Sequence, residues 1–284
     1  TVLTRRRDSA KHLFLLPNIK VVECNVMDDQ SLATAIKGAD AVINLIGILH
    51  QSRRNTFDAV HHQLPARLAR LCDAAGIKRL LHMSSLQADK DASSEYLRSK
   101  AAGEAALQAY LQKLNITIFR PSVIFGGDKF INLFATLIKL LPVVLLAKPN
   151  AKFQPVWVED VASCFALSVD NIDTYGQVYE LAGPKVYSFR QLVQQVMTAL
   201  GVKRPIIGLC NKLSYLQAFM MELLPVKLMS RDNVRSMEVD SVSQQPFPAV
   251  FGLQPASLEA VIPEYLTDAT QRGRYDRFRS FAAR

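Results

Sequence analysis

Asp40-Ala41-Val42-Ile43-Asn44-Leu45-Ile46-Gly47 is an apolar run of strand length that ends on glycine. Apolar side chains on both faces suit a parallel strand buried between two layers. A glycine at its carboxyl end lets a ligand approach the backbone. Upstream, residues 1–4 read as the end of a strand and 8–16 as a helix stopped by Pro17. Residues 20–24 form a strand, and 29–37 a short helix closed by Gly38. Downstream, a long helix covers 56–75 with Gly76 as its cap. A strand at 79–84, a helix at 93–113 and a strand at 116–119 follow. Strand and helix thus alternate through the first 125 residues, the pattern of βαβ units and a parallel sheet covered on both faces.

After Arg120-Pro121 the pattern changes. An apolar helix is expected over 130–141, a strand over 153–158, a helix over 159–169, a strand over 178–181 and a helix over 188–200 with Ser188 as N-cap. The rest reads as helical and loop-rich, a smaller carboxyl-terminal lobe. No fixed-period repeat and no apolar run of membrane-spanning length occurs.

The 284 residues carry 34 Lys plus Arg against 25 Asp plus Glu, a formal charge of +9, with 49% hydrophobic residues. That balance is globular and excludes wholesale disorder. The charge suits a phosphorylated ligand or a membrane surface. Neither Arg5-Arg6-Arg7 nor the arginines of 272–284 sit within an RNA-binding motif, so no nucleic-acid partner is expected. Cys24, Cys72, Cys164 and Cys210 are too far apart in sequence for a zinc or redox pair and read as buried free thiols. His61-His62 reads as a helix-surface pair, because adjacent helical residues point apart and no third ligand is in view. No metal is expected.

The chemistry gathers at strand ends. Tyr96 and Lys100, four apart in Ser94-Glu95-Tyr96-Leu97-Arg98-Ser99-Lys100, share one helix face. A Lys ammonium beside a phenol lowers the phenol pKa, so Tyr96 is the candidate catalytic acid or base, with Lys100 its partner and a ribose holder. Their helix follows a strand ending in Ser84-Ser85, which puts the pair over the carboxyl edge of the sheet, where open α/β folds bind ligands. Arg5-Arg6, Asn25-Val26, Gly47 and Arg120-Pro121-Ser122-Val123 mark other strand ends. Together they argue for one extended ligand lying across the sheet.

These motifs resemble the extended or atypical short-chain dehydrogenase/reductase superfamily. Asn44-Leu45-Ile46-Gly47, Met83-Ser84-Ser85, Tyr96 with Lys100, Arg120-Pro121-Ser122 and Gln154-Pro155-Val156-Trp157-Val158-Glu159-Asp160 carry the likeness. Val42 to Leu49, Tyr96-Leu97-Arg98-Ser99-Lys100, Ser122 to Gly126 and Ser230-Arg231-Asp232-Asn233-Val234 are most similar to the nucleotide-binding accessory subunit of respiratory complex I and its bacterial relatives. The resemblance implies an α/β fold with a Rossmann-like parallel sheet and a smaller carboxyl-terminal α/β lobe. Residues 1–125 would form the amino-terminally truncated nucleotide-binding core and 126–284 mainly the lobe, with a strand and helix at about 153–182 returning to the core. It further implies bound NADP(H), with NAD(H) as the alternative. Arg5 and Arg6 would meet the adenosine ribose and its 2′-phosphate, and Asn25 and Val26 would flank the adenine. Leu45, Ile46 and Gly47 would pass the ribose and pyrophosphate. Tyr96 and Lys100 would hold the nicotinamide ribose, with Ser84 a further cofactor-binding residue and Pro121, Ser122 and Val123 beside the nicotinamide.

Two departures matter. None of the 12 glycines makes the glycine-rich phosphate loop. The resemblance places that loop, with its strand and first helix, upstream of Thr1, so a gap or distortion in the sheet is expected. Leu86 stands where many of the enzymes carry a third hydroxyl, and Ser85 is not taken as its substitute. The expected role is therefore structural or redox-sensing, with respiratory complex I or a membrane surface as partner through the carboxyl-terminal lobe. The location would be cytoplasmic or peripheral on the inner face of a bacterial membrane, or the matrix side in a mitochondrion. The competing expectation is an active NAD(P)-dependent reductase, epimerase or dehydratase on a nucleotide-sugar, isoprenoid or quinone-like substrate. Phe219, Met220, Met221, Leu223 and Leu224 read either as core or as a partner- or membrane-facing helix, and Asp160 as a brace at the lobe junction.

Overall fold

The computed structural model describes residues 1–53, 55–126, 129–224 and 228–266. The arginine-rich stretch 272–284 lies outside them. Strand β1 (Val2–Thr4) is followed by a 3-10 segment, Arg7–Leu13, kinked at Ala10, where an α-helix was expected. Strand β2 (Val21–Glu23) leads to helix α1 (Asp29–Ile36), whose first turn is capped by Asp28 accepting from Ser31 N at 2.7 Å. Strand β3 (Ala41–Asn44) precedes a π-helical stretch, Asp58–Gln63, continuous with helix α2 (Leu64–Ala75). Gly76, in the left-handed region at φ 73°, ends that helix. Strand β4 (Arg79–Met83), helix α3 (Glu95–Gln108) and strand β5 (Asn115–Pro121) complete the alternating part.

Parallel ladders join β10 (Val178–Leu181), β5, β4 and β3 in that order, while β1 pairs in parallel with β2 alone. Among the described residues these parallel strands thus stand in two separate ladders. This division corrects the reading of 40–47 as a buried strand. Only Ala41–Asn44 are extended, among the described residues β3 has one neighbour, and Ile43 and Leu45 are 44% and 57% exposed. The strands with closed burial patterns are β4 and β5, because neighbours flank both edges of each.

One face of the four-stranded sheet packs Leu80, Ile116 and Ile118 against Leu64, Leu68 and Cys72 of α2, and α1 adds Leu32 and Ile36 to the same cluster. The other face packs Leu81 and Phe119 against Val161 and Phe165 of helix α5 (Val158–Ser168). Alternating side chains of β4 therefore feed two different cores, as a doubly covered strand requires.

A third cluster, holding Phe125, Ile138, Phe153, Phe189, Val193 and Ile262, is built from the segments after β5. These are strand β6 (Ile124–Phe125), helix α4 (Lys129–Leu140), strands β7 (Val144–Leu146), β8 (Lys152–Phe153) and β9 (Val156–Trp157), and strand β11 (Tyr187–Ser188). The expected strand over 153–158 is broken between β8 and β9, where Gln154 and Pro155 intervene. β8 pairs antiparallel with β11, and β9 pairs in parallel with β6. Helix α6 (Phe189–Leu200) opens with a capping box between Ser188 and Gln191. Strand β12 (Ile206–Gly208), helices α7 (Asn211–Glu222) and α8 (Arg231–Ser236), and α9 (Leu258–Leu266) follow. Asp160 accepts from Ala256 N at 2.8 Å and so ties α5 to the segment entering α9.

Candidate functional site

The end of β4 and the first turns of α3 hold the densest buried polar cluster tied to the predicted residues. Ser94 caps α3, and Asp232, brought in by α8, caps it a second time. Its carboxylate accepts from Glu95 N at 2.8 Å, from Tyr96 N at 3.0 Å and from Ser94 Oγ at 3.1 Å. The cap satisfies helix N–H groups that have no intrahelical partner, and a negative charge there suits the helix dipole. The helix that carries Tyr96 is thus anchored from the carboxyl-terminal lobe. That role of Asp232 was not legible in the sequence, although its motif was noticed.

Lys100 is buried, and its Nζ donates to Met83 O at 3.1 Å, at the carboxyl end of β4. Burial lowers its pKa to about 8, against the opposing field of Glu104. Glu104 is itself held by Arg120, whose Nε donates to Oε1 at 2.9 Å. Tyr96 is half-buried, with Phe57 and His61 edge-on to its ring at 5.8 and 5.3 Å between centroids. Burial raises the phenol pKa, and what opposes it is a hydrogen bond from Ser85. This corrects the expectation that Lys100 lowers it, because desolvation of the phenolate dominates. It also returns Ser85 as the hydroxyl beside Tyr96. Leu86 is buried, its N–H donating to Pro121 O at 2.9 Å.

His61 corrects a second expectation. His62 is half-buried and paired with Asp58, but His61 is 1% exposed and sits inside the cluster. Its Nε2 accepts from Ile48 N at 3.0 Å, so the proton lies on Nδ1, 2.9 Å from Ser99 Oγ, which in turn donates to Tyr96 O. One neutral imidazole therefore ties the loop after β3 to the Tyr96/Lys100 helix. Burial first, and Lys100 second, lower its pKa to about 3. The π-helical stretch brings His61 inward. Its carbonyl lies so close to α3 that a Cβ on Gly103 would be 1.9 Å from the oxygen. Asn44 completes the set. Its Oδ1 accepts from Ile46 N at 3.1 Å, and its Nδ2 donates to His82 Nδ1 at 3.1 Å. His82 is also neutral, its pKa lowered to about 3 by burial, and among the described residues its Nε2 has no partner. Ser84 Oγ, buried at the same strand end, is likewise unpartnered.

The family model described as "NAD dependent epimerase/dehydratase family" matches residues 1–182. The chain belongs to that family. It is 31% identical over 183 residues to a protein of Dictyostelium discoideum named NADH dehydrogenase [ubiquinone] 1 alpha subcomplex subunit 9, mitochondrial, a match covering 64% of this chain and 50% of that one. The chain spans about half the length of this relative. The fold is similar to a dTDP-glucose 4,6-dehydratase of Streptomyces venezuelae with NAD bound, at TM-score 0.72 and 18% identity, over 96% of this chain and 86% of that one. It is also similar to an NADPH-dependent quinone oxidoreductase of Escherichia coli complexed with NADPH, at TM-score 0.71 and 17% identity, over 93% and 89%. This is an epimerase/dehydratase-family chain with a Rossmann-like α/β fold.

Within that family frame the predicted residues divide into three groups. Tyr96, Lys100, Ser84 and Gly47 come together, since a Cβ on Gly47 would lie 3.5 Å from Lys100 Nζ and 3.7 Å from His61 Nε2. Leu45 and Ile46 are exposed on the same loop. Arg5, Arg6, Asn25 and Val26 belong to the separate two-stranded ladder, with both arginines exposed just past β1. Pro121 and Ser122 are buried and Val123 half-buried, and Ser122 Oγ is engaged by Ser241 at 3.1 Å to its carbonyl oxygen and 3.2 Å to its hydroxyl. The cysteines are free, but Cys210 is exposed where a buried thiol was expected. Among the described residues no three His, Cys, Asp or Glu side chains gather as metal ligands.

Proposed function

We propose that this chain is an NADP(H)-holding, atypical short-chain dehydrogenase-like protein that serves respiratory complex I or quinone metabolism in a structural or redox-sensing role. The observation that carries the reading is the buried Lys100 at the end of β4, beside the close backbone of Gly47 and the unpartnered hydroxyl of Ser84. A ribose offers hydroxyls to the unpartnered Ser84 Oγ and to the Lys100 ammonium, which has donors to spare beyond its bond to Met83 O, so these residues fit the nicotinamide end of a dinucleotide. Tyr96 and Lys100 would hold its ribose, and Leu45, Ile46 and Gly47 would pass the pyrophosphate. Pro121, Ser122 and Val123 would border the nicotinamide. Arg5 and Arg6, exposed past β1, fit a 2′-phosphate, which a carboxylate there would repel. Asn25 and Val26 would flank the adenine. A bound nicotinamide could supply a hydride, but holding it stabilises the fold whether or not it turns over. The relative's name supports complex I as the partner class. The location would be cytoplasmic or peripheral on the inner face of a bacterial membrane, or the matrix side in a mitochondrion.

A second reading has its own support. Ser85 opposes the effect of burial on the Tyr96 phenol, and Lys100 lies one turn along the same helix, so a hydroxyl, a phenol and an ammonium, the residue types an NAD(P)-dependent reductase, epimerase or dehydratase needs to move a proton, stand on adjoining segments. The test is paired. Nucleotide retained by the purified protein is identified by mass spectrometry, and NADPH and NADH are titrated against wild type, Arg5→Ala and Arg6→Ala. Each arginine change should weaken NADPH by about 1.5–3 kcal/mol and NADH far less. Equal weakening of both would remove the 2′-phosphate assignment. Tyr96→Phe then separates the readings. Wild-type oxidation of NADPH on a quinone and sugar-nucleotide panel, falling by about 10² to 10⁴ at unchanged affinity, would establish the enzyme. No turnover with weakened retention would support the holding role.

A further inference from the structure

Helix α7 is inverted. The two side chains it buries completely are Ser214 and Ala218, small and one turn apart, while Leu213, Leu216, Met220 and Leu223 are 49–67% exposed. At about 100° per residue these four share the arc opposite Ser214 and Ala218, so the helix turns its large apolar side chains outward. Beside it, the parallel ladder of β7 and β12 does the same. Leu145 and Ile207 are register partners and both about half exposed, while Val144 and Leu146 are buried. Gln217 Nε2 donates to Leu145 O at 3.1 Å, and Lys148 N donates to Ser214 Oγ at 3.2 Å. Helix and ladder are therefore one continuous surface.

The charge around that surface is mostly of one sign. The sequence holds no Asp or Glu between Asp128 and Glu159, and none between Glu180 and Glu222. These two stretches build α4, β7, β12 and α7. Lys139, Lys203, Arg204 and Lys212 are exposed there. Val144 N donates to Pro205 O at 3.0 Å, which puts Lys203 and Arg204 at the same end of the ladder as the segment following Lys139. Two carboxylates touch its edges and both are paired: Glu222, at the far end of α7, with Arg231 at 3.0 Å, and Glu238 with the Tyr215 hydroxyl of α7 at 2.8 Å and Lys148 Nζ at 3.8 Å.

We propose that this face seats on an anionic phospholipid surface, with α7 lying in the plane of the interface, its apolar arc in the acyl boundary and the lysines and Arg204 among the headgroups. A broad apolar arc with a rim in which basic side chains outnumber carboxylates, and the carboxylates are paired, is the composition of an interfacial helix. Among the described residues no helix is long and apolar enough to cross a membrane. The proposal gives residues and a lipid class to the membrane-facing expectation for the carboxyl-terminal lobe. It stands or falls apart from nucleotide holding, since the two have separate readouts.

The test is co-sedimentation of the full chain with phosphatidylcholine vesicles, with and without phosphatidylglycerol. Binding is expected only with the anionic lipid. Lys203→Ala and Arg204→Ala should each reduce it about fivefold. Leu216→Glu with Met220→Glu should abolish it, while Ile172→Glu, an exposed apolar residue outside this face, should leave it unchanged. Circular dichroism and retained nucleotide confirm that each variant is folded. No sedimentation with anionic vesicles, equal binding to both vesicle types, or equal binding by the Leu216/Met220 variant would overturn the proposal. So would a dimer in light scattering that the same two changes dissociate, which would make the face a contact between copies of this chain.

Discussion

Mild acid should destabilise this protein through two histidines. His61 and His82 are both held neutral by their acceptor roles, Nε2 of the first taking Ile48 N–H and Nδ1 of the second taking the Asn44 amide. Protonation turns each acceptor into a donor facing a donor, and does so in a buried site beside Lys100. Both pKa values are accordingly lowered from 6.5 to about 3. The unfolded chain binds these protons as pH falls through 6.5, and the folded chain refuses them until about 3. Stability is therefore complete above pH 6.5 and is lost progressively between 6.5 and 3. One unit below 6.5 the loss is about 1.4 kcal/mol for each histidine and about 3 kcal/mol for the pair. Urea unfolding at about pH 7.5 and about pH 5.5, at constant slope, measures it. His61→Gln keeps an acceptor for Ile48 N–H but does not titrate, so its loss over the same interval should be smaller by about 1.4 kcal/mol. A wild-type loss below about 0.5 kcal/mol, or a His61→Gln variant as acid-sensitive as wild type, would refute the reasoning.

Two further outcomes follow from single contacts. Asp232→Ala removes the outer cap of α3 and should cost about 1–2 kcal/mol in chemical denaturation, with a parallel loss of retained nucleotide because Tyr96 sits in the capped turn; Asp232→Asn should recover part of both. Gly103→Ala would set a methyl 1.9 Å from the His61 carbonyl oxygen and force α3 off the π-helical stretch, at about 3 kcal/mol by the same assay, whereas Gly38→Ala meets nothing within 4 Å and should suffer only the backbone strain of its φ of 76°.

The order of strands and helices was legible because hydrophobic period and capping residues are local properties. Val178–Leu181, the Ser188 cap and the Gly76 stop fall where the pattern alone puts them. The meeting of Tyr96 and Lys100 over a strand end was legible for the same reason, since a spacing of four on one helix is geometry that the chain carries by itself. What surrounds that pair was not. His61 was read as a surface residue because nothing in its neighbours announces a π-helical stretch, and only the close backbone of Gly103 turns it inward. Ser85, Asn44 and His82 join the cluster through hydrogen bonds between segments distant in sequence, and Asp232 reaches it from 136 positions beyond Tyr96. Residues 40–47 show the limit most plainly. Their composition is that of a buried strand, yet whether both faces and edges are covered depends on which strands stand beside them, and among the described residues β3 has a single partner. Local sequence determines the shape an element adopts. Burial, proton affinity and the partner of each polar group are set by the neighbours that tertiary packing brings, because desolvation and hydrogen bonding act through space and not along the chain.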